Sequence, residues 1–342
     1  MNWKRIAFII VMFGIGIFLF FKNDINNILL LKRYSDIFLP EDIEENFRNI
    51  QNKYPSITIK RKRPAYKIPE AIRNSALPES FQFGGEELLI REEIEKRHLT
   101  SLLVIKGGKI IHEEYPRGNT KDSQVIVFSC SKSIASILIG IAYESGNIKS
   151  LEDPAGKYVS DLKGTVYENV TIQNLLDMSS GVKWDEIYDD LSSDIVLTVI
   201  ASLTGSLNAY AQDMTRKRPQ GTFNQYTSFD TQVLAMIIEG ATGRSYTDYL
   251  NEKLWSKLGV ENDAYFLTDK IGFPIAYGGL MVTARDMAKI GLLMNNNGMT
   301  SLGEQLFSED WIQASITPDA PRLMPGRGNE LSDWAQGYKN QW

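Results

Sequence analysis

Apolar positions in this chain fall into patterns that predict different elements. From Ile6 to Phe21, sixteen successive residues carry no polar side chain; Lys4 and Arg5 precede them and Lys22-Asn23-Asp24 follow. As a helix this run spans roughly 24 Å, slightly short of the ~30 Å hydrocarbon core of a bilayer. Trp3 and snorkelling Lys4, Arg5 and Lys22 make up the difference. No small-x-small cleavage site follows, so residues 1–22 read as an uncleaved transmembrane anchor. Positive charge holds the N-terminus inside and puts the rest of the chain on the extracytoplasmic side, periplasmic or cell-surface. A cleaved secretion signal is the alternative and gives the same side.

A second run, Ile134 to Ala142, is apolar on every helical face except at Ser136, the pattern of a buried helix. It follows Val127-Phe128-Ser129-Cys130-Ser131-Lys132-Ser133. Elsewhere the period changes. Ser101–Ile105 and Ile110–Tyr115 flank Lys106-Gly107-Gly108-Lys109 and predict a β-hairpin, with His112 a strand residue. Glu86–His98 has helical spacing through Leu89, Ile90 and Ile94. Thr171 is placed to cap a short helix. Helices are expected over 194–203, 230–240, 246–258 and 284–294, and Trp334–Trp342 alternates like a strand. Residues 23–80 are mixed and polar, with Pro64, Pro69 and Pro78, and read as an irregular lead-in. Lys60-Arg61-Lys62-Arg63 within them reads as a solvated charge cluster. Sheet residues from both ends of the chain around a helical middle predict an α+β architecture over residues 81–342.

Composition narrows the chemistry. The 342 residues are 43% hydrophobic and 23% charged, as in ordinary globular proteins. A net charge of −5 gives no electrostatic footprint for nucleic acid. The single cysteine, Cys130, excludes an intrachain disulfide and is expected to be a small buried packing residue. With only His98 and His112 besides, neither a zinc site nor a Ser-His-Asp triad is expected, and no cofactor is implied. A general base is sought among Lys and Tyr.

Ser129 and Lys132, three residues apart, share one helix face. Lys132 is driven into the interior, where desolvation favours the neutral amine. A neutral amine beside a hydroxyl at a helix N-terminus makes a serine nucleophilic. The bare S-x-x-K pattern also occurs at Ser160/Lys163 and Ser180/Lys183, but neither heads a long apolar helix. The plainer alternative is a capping Ser with a snorkelling Lys. Tyr226 lies in the loop Pro219–Ser228, just before the helix expected from Asp230. A phenol near a lysine ammonium is expected to have a lowered pKa and to relay protons. Otherwise it is a tyrosine packing with its hydroxyl on backbone.

The ordered set Phe128-Ser-Cys-Ser-Lys-Ser133, Val170-Thr-Ile-x-x-Leu-Leu176 with Ser179-Ser-Gly-Val182, Tyr226-Thr-Ser228 with Asp230-Thr-Gln-Val-Leu234, and Thr283-Ala-Arg-Asp286 with Gly291 resembles the serine β-lactamase-related hydrolases. Within them it is most similar to the class C β-lactamase and aminohexanoate-dimer hydrolase branch. The resemblance implies a β-lactamase/transpeptidase-like fold, a large helical subdomain against an antiparallel sheet of about five strands. It implies Ser129 as nucleophile, Lys132 as its activating partner and Tyr226 as the phenol relaying a proton to the leaving group. Ser228 would line the pocket, and Tyr188, in Trp184-Asp-Glu-Ile-Tyr188, would contact substrate. The implied partner is a small-molecule amide or ester; the oligomeric state is left open.

Two departures stand out. Ser192-Ser193-Asp194 is not an S-D-N triplet. The family's late-strand Lys/His-x-Gly motif is matched after Tyr226 only by Lys270-Ile271-Gly272, where the following Phe273-Pro274 argues against a strand. With Trp342 in a strand-like alternation, C-terminal strands, and with them a second oxyanion-hole N–H, are expected to be missing. The reading is a serine hydrolase acting through an acyl-enzyme on an amide or ester. The alternatives are a D-Ala carboxypeptidase or true β-lactamase, and a catalytically dead, membrane-tethered binding module.

Overall fold

The computed structural model describes residues 29–30, 32–71, 77–326, 329–333 and 335–342. The expected anchor, residues 1–22, lies outside them. Among the described residues no helix is long and apolar enough to cross a membrane.

The lead-in is more ordered than its prolines suggest. It contains helix α1 (Ile43–Asn49) and strand β1 (Ser56–Ile59), and β1 joins the central sheet. Two hairpins follow, each closed by a glycine pair in the left-handed region that L side chains avoid. Gly84 and Gly85 (φ 62° and 87°) fold β3 (Glu86–Leu89) back on β2 (Ser80–Phe83). This corrects the helix expected from Glu86: the Gly-Gly turn makes the first four residues a strand, and α2 (Ile90–Lys96) starts only after it. Gly107 and Gly108 (φ 56° and 72°) close β4 (Leu102–Lys106) on β5 (Lys109–Glu114), the hairpin read from sequence, with His112 in β5.

The central sheet is antiparallel and four-stranded, in the order β1, β7 (Ala264–Leu267), β8 (Leu280–Val282), β6 (Val125–Ile126). Its register pairs Ser56 with Leu267, Tyr265 with Met281 and Val125 with Val282. The short strand β6 leads directly into the central helix. That placement brings residue 129 to the edge of the sheet.

Helix α3 (Cys130–Glu144) is buried on all sides through its run 134–142, as that apolar pattern requires: Ile134, Ile137, Leu138 and Ile139 are at most 1% exposed. The core around it draws on α4 (Ile172–Leu176), α5 (Asp194–Thr204), α6 (Ser228–Thr242) and α7 (Tyr246–Lys253). Helices α8 (Ala284–Asn295) and α9 (Glu309–Ile316) complete the helical layer. The Thr171 side chain accepts from Asn174 N at 3.2 Å and caps α4, as read from sequence.

Close approach to α6 is set at Gly240, where a Cβ would stand 2.0 Å from the Tyr158 carbonyl oxygen. Gly240→Ala is therefore expected to destabilise the protein by about 1–3 kcal/mol through overpacking. A lower urea midpoint at unchanged slope is the readout.

Residues 335–342 do not form the strand their alternation suggests. Asn340 and Gln341 sit at φ 48° and 69°, which breaks an extended run. Gln341 is instead an interior clamp. Its side chain donates to the Leu175 and Leu176 carbonyls (3.0 and 3.1 Å) and accepts from Thr231 Oγ1 (2.7 Å), while its carbonyl accepts from Ser133 Oγ (2.8 Å). One buried residue, through its side-chain amide and its backbone carbonyl, thus ties α3, α4 and α6 together.

Candidate active site

The site begins with a strained turn. Phe128 holds φ 42°, a conformation costing a bulky residue of order 1–3 kcal/mol. Packing over-determines it: its ring lies 5.0 Å from Phe47 and 6.3 Å from Phe38, both from the lead-in. This turn ends β6 and starts α3, with Ser129 half-buried at its N-cap position. The Ser129 hydroxyl caps no backbone N–H, so it is available for other partners.

One turn on, Lys132 is 2% exposed and donates from Nζ to Ser129 Oγ and to the Tyr277 carbonyl, each at 2.9 Å. Its Nζ stands 5.0 Å from the Tyr226 ring centroid and 5.7 Å from that of Tyr277. Burial pulls the Lys132 pKa down to about 8, against a smaller upward pull from the Glu186 carboxylate. The snorkelling alternative is excluded by this geometry.

Tyr226 approaches from the loop before α6, near enough to Ser129 for that side chain to exert a lowering pull on its phenol pKa. Its ring packs edge-on against Tyr338, 6.0 Å between centroids. The expected lowering of its pKa is not found: burial pushes the phenol up to about 12, against a smaller lowering effect from the Ser129 side chain. Tyr226 is therefore a neutral hydroxyl at ordinary pH. Ser228, the first residue of α6, turns its hydroxyl to Glu186.

Glu186 is the polar hub that sequence reasoning left without a role. Its carboxylate accepts from Ser228 Oγ (2.5 Å), Ser228 N (3.1 Å), Tyr188 OH (2.7 Å) and Trp184 Nε1. Glu186 was visible only as one residue of Trp184–Tyr188, with no spacing to single it out. Tyr277 was likewise missed, because a carbonyl acceptor has no side-chain signature.

Ser129, Lys132, Ser228, Tyr188 and Tyr277 line one cavity of about 340 Å³. Tyr226, whose ring centroid lies 5.0 Å from Lys132 Nζ, is not among the residues lining that cavity. Cys130 departs from expectation: it is exposed, since α3 turns its first residue outward while burying Ser131 and Lys132. Lys270-Ile271-Gly272 lies in a turn, with Gly272 N bonded to the Asp269 carbonyl at 3.1 Å, and supplies no strand motif. Among the described residues, no group of three or more His, Cys, Asp and Glu side chains is arranged to hold a metal ion.

Comparison with known proteins fits this arrangement. Residues 89–338, more than half of the chain, match the family model described as Beta-lactamase. The chain belongs to the beta-lactamase family. This beta-lactamase-family chain is similar to the 6-aminohexanoate-dimer hydrolase of Paenarthrobacter ureafaciens, 27% identical over 303 residues that cover 86% of this chain and 75% of that protein. It is 24% identical over 251 residues to Protein flp of Staphylococcus aureus, covering 68% of this chain and 48% of that relative, so it spans about half of flp's length. A Bacillus anthracis protein solved as a candidate 6-aminohexanoate-dimer hydrolase superposes with a TM-score of 0.79 at 23% identity, over 90% of this chain and 81% of that one. The fold is that of the β-lactamase/transpeptidase group, and the protein is of the beta-lactamase-family serine hydrolase type.

Proposed function

We propose that the protein cleaves an amide or ester bond through an acyl-enzyme on Ser129. The observation that carries this reading is the buried Lys132 amine, 2.9 Å from the Ser129 hydroxyl, with a pKa near 8. The similarity to an enzyme named for hydrolysing 6-aminohexanoate dimer supports an amide-type substrate.

In this mechanism the neutral fraction of Lys132 takes the Ser129 proton as Oγ bonds the carbonyl carbon. The Ser129 backbone N–H, at the start of α3, stabilises the resulting oxyanion. Tyr226, held neutral by burial, gives its proton to the leaving nitrogen or oxygen as that bond breaks and is reprotonated from Lys132. Water then attacks the acyl-enzyme and releases a carboxylic acid, returning the proton to Ser129. The Lys132 bond to the Tyr277 carbonyl keeps the amine aimed at Oγ throughout.

The test is the pH dependence of hydrolysis across a panel of small amides and esters. With a Lys132 pKa near 8, only about one molecule in ten carries the free amine at pH 7. The profile of kcat/KM should rise about tenfold per pH unit below that value and level off above it. Glu186 raises the lysine pKa, so in Glu186→Gln the rising limb should move to lower pH. A profile flat between pH 6 and 9, or one unmoved by that substitution, would contradict Lys132 as the base.

A further inference from the structure

The cavity beside Ser129 has a chemistry of its own. We propose that the acyl half of the substrate is an uncharged, apolar chain longer than acetyl, which enters this cavity; the proposal rests on the acyl-enzyme reading above. Tyr34, Ile37, Phe38, Phe128, Val199 and Leu267 are among its walls, and among the described residues its single charged lining side chain is Lys132. That ammonium is already engaged by Ser129 and the Tyr277 carbonyl. A carboxylate or ammonium on the acyl chain would give up its hydration here and find no free counter-charge among the described lining residues, whereas methylene groups gain from the transfer.

The division of the site assigns the cavity to the acyl side. Tyr226, the proton donor to the leaving group, does not line it and packs against Tyr338, with its backbone N–H 3.3 Å from the Asp333 carboxylate. The leaving group departs toward that polar side, and the acyl chain takes the apolar one. The walls are also pre-formed. Tyr34 and Phe38 pack at 5.1 Å, and Phe38 and Phe47 at 5.8 Å, so the lead-in presents a fixed aromatic face.

The test uses the purified full chain with p-nitrophenyl acetate, butyrate, hexanoate and octanoate, and with the charged hemisuccinate, which has butyrate's carbon count. We expect kcat/KM to climb about threefold to fourfold per buried methylene until the cavity is full, by more than tenfold from acetate to hexanoate. The hemisuccinate should fall at least tenfold below butyrate, and Val199→Phe should cut the octanoate-to-acetate ratio at least tenfold. With monooctanoylglycerol, hydrolysis already at full rate below the critical micelle concentration identifies a soluble ester as the source of such chains, and a rise only above it identifies a lipid; either supports the chain preference. A flat or falling series, with acetate still hydrolysed and Ser129 still labelled by a small phosphonate, overturns the chain preference alone. No hydrolysis and no label overturns the serine reading and this proposal with it.

Discussion

Ser129→Ala is expected to lower kcat by roughly 10⁴–10⁶-fold, the scale on which removal of a catalytic serine acts elsewhere. The loss is this large because the remaining parts have nothing to activate. Lys132 keeps its bond to the Tyr277 carbonyl at 2.9 Å, and Tyr226 keeps its edge contact with Tyr338. The fold should scarcely notice, since the hydroxyl caps no backbone group of α3. Steady-state kinetics beside a urea melt therefore separate the two effects: activity gone, midpoint nearly unchanged. A variant that turns over at more than about a tenth of the wild-type rate would remove Ser129 from the chemistry.

Lys132→Met is the second large effect, and here activity and stability should move in opposite directions. Replacing the amine by an uncharged chain of similar length removes the proposed base, an expected loss of about 10²–10⁴-fold in kcat. The same change relieves a buried charge. The folded-state pKa of about 8 lies below the ordinary lysine value of 10.5, so folding disfavours the protonated amine. The sign follows from proton counting: between those two pH values the unfolded chain binds more protons, and stability rises with pH. The penalty is fully present below pH 8, worth about 3 kcal/mol by the difference in pKa, and is relieved as pH climbs toward 10.5. Lys132→Met should therefore unfold at higher denaturant than the wild type at pH 7, by less than the full penalty because the Nζ bonds are lost as well. The advantage should shrink toward pH 10. A variant equally destabilised at every pH would mean that the amine is not held against its own solvation.

The parts of this site that could be read from sequence are those with a local signature. Ser129 and Lys132 were legible because a polar pair at helical spacing stood at the head of an apolar run, and the burial of α3 follows from that run. Thr171 and the Gly107-Gly108 hairpin were legible for the same reason, since caps and left-handed turns are decided within a few residues. What failed was decided outside the periodicity of the segment itself. Glu86–Leu89 has helical spacing, yet the glycine pair before it made it a strand. The alternation near Trp342 was overridden by a buried glutamine that satisfies carbonyls on another helix. The Tyr226 pKa, expected to be lowered by a lysine ammonium, is raised instead, because burial dominates. Glu186, Tyr277 and the walls Tyr34 and Phe38 reach the site by long-range folding of residues whose own surroundings carry no sign of it.

The most direct measurement is the mass-mapped site of reaction with a small, uncharged alkyl fluorophosphonate, followed as a function of pH. A single adduct on Ser129, forming at a rate that rises through pH 8, absent from Ser129→Ala and at least about a hundredfold slower in Lys132→Met, is the expected result. An adduct on any other residue, the exposed neighbour Cys130 included, or none on the folded wild-type protein, would contradict a Ser129 nucleophile activated by Lys132.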